Sequence, residues 1–133
     1  MKISRVIFIL LLLGLWASGV AWLVYKLYFP EPEIGSNFAP RLLKIHAAFA
    51  LLFLPAIGTL YEHIKRGVRL RRNLSSGILM LSLVALTLIT AWGLYYLADE
   101  EARALTSTIH WVAGGIFPFV IILHRWLARQ TRP

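Results

Sequence analysis

The sequence predicts an all-α membrane protein: a four-transmembrane-helix up-down bundle with both termini on the cytoplasmic side. Three observations carry this expectation. The 133 residues are 59% hydrophobic and 15% charged, with mean hydropathy +0.70, which is too apolar for an ordinary soluble domain. Four apolar segments follow one another, each long enough to cross a hydrocarbon core of about 30 Å. The net charge of +8 is sorted by side along the chain instead of being spread evenly. One transmembrane domain over residues 1–133 is the natural count.

The first segment, about residues 5–29, reads IFILLLLGLWASGVAWLVYKLYF after the basic start Lys2 and Arg5. It is too long and too aromatic for a cleaved signal, and no small-residue cleavage site closes it, so it reads as a retained span. Residues 30–40, PEPEIGSNFAP, are broken by proline and extended. The second span covers about 41–64. Residues 65–73, KRGVRLRRN, read as a basic loop, and the third span covers about 74–98. Residues 99–105, DEEARAL, read as an acidic turn into the fourth span, about 106–128, with Thr106 or Ser107 as its cap.

Placing the amino terminus inside puts Lys2, Arg5, Lys65, Arg66, Arg69, Arg71, Arg72, Arg125, Arg129 and Arg132 on the inner face, against Glu62 alone. The outer face then holds Lys26, Arg41, Lys44 and Arg103 against Glu31, Glu33, Asp99, Glu100 and Glu101. The excess of cations on one side sets the orientation and removes the need to invoke nucleic acid as a partner. Trp22, Tyr25, Tyr28, Trp92, Tyr95, Tyr96 and Trp111 fall toward the outer interface, as an aromatic belt does. A weak internal repeat pairs Ala21-Trp22-x-x-Tyr25 with Ala91-Trp92-x-x-Tyr95, and His46-Pro55-His63 with His110-Pro118-His124.

The four histidines are the candidate chemistry. His46 and His63 lie toward opposite ends of the second span, and His110 and His124 toward opposite ends of the fourth. An ionisable residue inside a membrane is a functional-site hypothesis by default. The two spans run the same way, so His46 matches His110 near the outer face and His63 matches His124 near the inner face. From His110 to His124 is two heptads, one seam of a left-handed bundle, with a rise of about 21 Å. From His46 to His63 is two heptads plus three, a rise of about 25 Å, with Pro55 between them to reset the helix.

Two imidazoles at each level fit two stacked haem b groups, non-covalently held, with all four histidines as metal ligands. The absence of cysteine excludes disulfides, iron–sulfur ligation and covalent c-type attachment. Gly93 at the outer level, Gly77 at the inner level, and Gly114 and Gly115 one turn below His110 would let a flat ring approach the backbone, or serve ordinary helix packing. Arg41, Lys44 or Arg103 outside, and Lys65, Arg66 or Arg125 inside, are the candidate propionate partners.

With His46, His63, His110 and His124 on a four-span plan, the chain resembles the small di-haem b-type cytochromes of bacterial membranes. That group includes the haem-carrying membrane subunits of formate dehydrogenases and hydrogenases. The 14-residue pair matches the group's habit and the 17-residue pair departs from it. The resemblance implies an electron-transfer subunit of the bacterial cytoplasmic membrane, not a stand-alone enzyme. It would relay electrons between the quinone pool and a partner redox protein. A c-type cytochrome or a catalytic subunit would dock on the outer acids Glu31, Glu33 and Asp99 to Glu101. The residues leave open a cofactor-free anchor of a respiratory complex, a single-haem anchor using His46 and His110 only, and a non-haem metal.

Overall fold

The computed structural model describes residues 2–29, 37–71 and 73–130, with side chains from residue 6 onward. The expected proline-broken link with Glu31 and Glu33, the side chains of Lys2 and Arg5, and Arg72 and Arg132 lie outside these residues. The fold is all-α: α1 (Lys2–Tyr28), α2 (Phe38–Gly58), α3 (Tyr61–Arg69), α4 (Leu74–Tyr96) and α5 (Glu100–Gln130), with no strand among the described residues. The four long helices each carry the length and hydropathy of a membrane span, so this is a multi-pass membrane protein. Among the described residues only Phe53, Ala113 and Val120 of the apolar side chains are buried, whereas Leu10 and Leu51 are 60% and 70% exposed. In a bilayer such side chains meet acyl tails and need no interior.

The helices fall into two compact units, Met1–Tyr61 and Glu62–Pro133. In the first, α1 and α2 form an antiparallel pair. Tyr25 lies against Phe38 with tilted rings and centroids 5.3 Å apart, Ser18 meets His46, Gly14 meets Phe49, and Phe8 lies 5.2 Å from Phe53. Numbers rise on one helix as they fall on the other. A Cβ at Gly14 would run into the Phe49 ring, so that glycine and Ser18, four residues on, let the two backbones approach.

In the second unit, α4 and α5 pair in the same antiparallel sense. Thr106 faces Gly93, His110 faces Thr90, and His124 faces Ser76. The start of α5 corrects the expected cap. The side chain of Asp99 accepts the Ala102 N–H at 2.7 Å, Glu100 and Glu101 fill the first turn, and the helix begins there. Thr106 instead donates to Ala102 O at 2.7 Å inside the helix, and Ser107 is likewise internal.

A second correction concerns the segment read as one span over 41–64. Helix α2 stops at Gly58, and His63 belongs to the separate α3. Pro55 has no N–H to donate, so the ladder weakens one turn earlier. The chain then tightens, with Thr59 N–H donating to Ala56 O at 3.2 Å and Leu60 N–H to Ile57 O at 2.9 Å. The 17-residue register therefore does not run along one helix. The basic stretch expected as a loop is helical to Arg69, with Glu62 in its first turn and Arg66 and Arg69 in its last, a charge order that suits the helix dipole. Arg71 and Asn73, at φ 47 and 52, then turn the chain into α4 in left-handed conformations. Pro118 has no comparable effect, because α5 continues through it.

Candidate functional site

Three side chains other than apolar ones are buried among the described residues: Ser18, Ser76 and Thr90. Each is the partner of a histidine on the helix packed against it. In the first unit, Nδ1 of His46 lies 3.1 Å from Leu15 O and 3.2 Å from Ser18 Oγ, while Ser18 Oγ donates to Leu15 O at 2.9 Å. A carbonyl oxygen only accepts, so Nδ1 of His46 carries the proton. In the neutral ring the lone pair is then on Nε2.

The second unit repeats the device twice. Thr90 Oγ1 donates to Leu86 O at 2.7 Å, with Thr87 O at 3.1 Å, and stands 2.9 Å from Nδ1 of His110. Ser76 Oγ donates to Asn73 O at 3.2 Å and stands 2.8 Å from Nδ1 of His124. A hydroxyl has one proton: with it on the helix carbonyl, the oxygen accepts from Nδ1–H and Nε2 holds the lone pair, and with it on Nδ1 the roles reverse. The first arrangement, with a hydrogen bond behind the ring, is the form in which histidine serves a metal.

His63 is exposed on α3, and its ring lies 6.4 Å from that of His124, centroid to centroid, with planes at 81°. Imidazoles on opposite sides of one metal, each bonded at about 2 Å, hold their ring centres roughly 6 Å apart. The 6.4 Å between the His63 and His124 rings is close to that spacing. Among the described residues no three His, Asp or Glu side chains gather into a metal cluster, so a centre built from protein ligands alone has no support here. Two imidazoles suit a macrocycle that supplies the other four positions.

The remaining predicted residues divide. Gly77 does face a histidine: a Cβ there would stand 4.0 Å from Cε1 of His124. At Gly93 a Cβ would stand 3.2 Å from Thr106 Cγ2, so this glycine serves helix packing. Gly114 and Gly115 have open space where a Cβ would go. Arg41 and Arg103 are both exposed. Arg103 precedes His110 by two turns and shares its side of α5, whereas Arg41 is about 140° round α2 from His46. An open groove of about 350 Å³ along the α4/α5 pair is walled by Leu83, Leu86, Ile109, Val112, Ala113 and Ile116; Thr108 at its edge donates to Ala104 O.

Sequence reasoning missed Ser18, Ser76, Thr90 and Gly19, where a Cβ would come within 3.0 Å of the His46 ring. One signal was available. Ser76 to Thr90 is the same two-heptad step as His110 to His124. Comparison with protein-family models, curated proteins and solved structures finds no match for this chain.

Proposed function

We propose that this chain is a di-haem b-type cytochrome of the bacterial cytoplasmic membrane, relaying single electrons between the quinone pool and a partner redox protein. The observation that carries this reading is the set of Nδ1 hydrogen bonds. His46, His110 and His124 each meet, through Nδ1, a buried hydroxyl on the helix packed against them, the kind of partner that orients a metal-binding imidazole. His63 and His124 are the proposed ligands of the inner haem, supported by their 6.4 Å ring separation. His46 and His110 are the proposed ligands of the outer one, on the sequence ground that they sit at matching depths in parallel spans. An iron held between two imidazoles is six-coordinate and exchanges one electron without an open position for oxygen. Arg103, exposed on the His110 side of α5, is the proposed propionate partner. The excess of cations at both termini and in α3 puts these elements on the cytoplasmic side.

One observation favours a second reading, a cofactor-free anchor of a larger complex. The same histidine–hydroxyl bonds tie α1 to α2 and α4 to α5, which is what buried polar groups do between spans with no cofactor present. Haem counting separates the two. Purified protein assayed as pyridine haemochrome should carry two haem b per chain, and His110→Gly should carry one, restored toward two by added imidazole. Protein that is intact, monodisperse and haem-free would leave only the anchor.

A further inference from the structure

Between the end of α2 at Gly58 and the start of α4 at Leu74, the chain has too few residues, and too many charges, to cross a bilayer. It stays on one membrane face. Helix α3 occupies most of that stretch and is sharply two-sided. Tyr61, Ile64 and Val68 share one side and are 63%, 38% and 59% exposed. Glu62, Lys65, Arg66 and Arg69 fill the other, with exposed Arg71 just beyond the helix. The extensive helix packing is α1 on α2 and α4 on α5, and α3 meets α5 through the His63 and His124 rings. A helix with an apolar stripe and a cationic stripe, tethered between two spans at the membrane boundary, has one environment that suits both sides at once: the interface, with the apolar stripe toward acyl chains.

We propose that α3 lies in the plane of the membrane and binds anionic phospholipid headgroups through Lys65, Arg66, Arg69 and Arg71. Four cations against the single acid Glu62 complement a negatively charged leaflet. Three of the four are arginines, whose planar forks pair with phosphate oxygens two at a time, beyond what a point charge for topology requires. The proposal does not depend on the histidines holding iron.

The natural chain has no cysteine, so single labels are clean. Full-length Ile64→Cys and Glu62→Cys, each carrying an environment-sensitive fluorophore, would be placed in nanodiscs of phosphatidylcholine, with and without phosphatidylglycerol. In the anionic discs the label at 64 should be blue-shifted and several-fold better protected from acrylamide than the label at 62. Protection at 64 should fall at least about twofold in phosphatidylcholine alone, and in the anionic discs at high salt. The triple variant K65Q/R66Q/R69Q should lose the lipid dependence; the salt titration of the singly labelled chain gives the same test without it. Equal quenching at 62 and 64 in both lipids would overturn the interfacial seat. Protection at 64 that ignores headgroup charge and salt would overturn the lipid recognition.

Discussion

The proton on Nδ1 of His46 decides which of its nitrogens can meet a metal, and two acceptors on α1 hold it there. Thr90 and Ser76 stand in the same relation to Nδ1 of His110 and His124. Under the di-haem reading these bonds draw the proton off Nδ1, make the imidazole a stronger donor and favour the ferric state. Thr90→Val should therefore keep the haem count and raise the midpoint potential of one centre by tens of mV. About 59 mV would correspond to a tenfold change in relative affinity for the two oxidation states. Thr90→Ser should restore it, and a spectroelectrochemical titration reads both. A potential that does not move in Thr90→Val would remove the hydroxyl from this role. The histidines themselves were legible in the sequence as the few ionisable groups within apolar spans. Their partners were not, because a serine or threonine in a span also bonds its own helix, and only the register between two helices tells the cases apart.

At the level of elements, the spans could be read by hydropathy but their ends could not. The apolar count dates the fourth helix from Thr106, while the backbone N–H groups that need a partner are satisfied earlier, by Asp99. Removing that cap in Asp99→Ala should cost about 1 kcal/mol and lower the thermal midpoint in detergent. The break between α2 and α3 was hidden for a different reason. Tyr-Glu-His-Ile continues the apolar segment well enough to read as helix, and Pro55 withholds its N–H from the turn before it while α2 itself ends only at Gly58. Close approach in the first unit depends on a smaller feature. Gly14→Leu would drive a side chain into Phe49 and should destabilise the α1/α2 pair by about 1–3 kcal/mol, measured as a lower unfolding midpoint. Gly114→Ala, where nothing stands within 4 Å, is the matched control and should be close to neutral.

For the whole molecule, the plan of four spans and the sorting of charge were legible from the outset, since both follow from composition along the chain. Orientation is directly measurable. With cysteines introduced one at a time at Arg66, Arg103 and Arg129, a membrane-impermeant thiol reagent added to sealed inside-out vesicles should label positions 66 and 129 and spare 103; the opposite pattern would invert the topology. The fixed spacing of the two histidine–hydroxyl contacts in the second unit has a further consequence, for which sequence changes this hairpin tolerates. One residue inserted in α5 between His110 and His124 would swing the lower imidazole by about 100° and carry it away from Ser76. Loss or gain of a whole heptad would nearly keep the azimuth but shift the level by about 10 Å, so His124 would still meet Ser76 only if α4 changed by the same seven residues between Ser76 and Thr90. Length variation in this pair of helices should thus be confined to coordinated steps of seven, with single-residue gaps relegated to the connections.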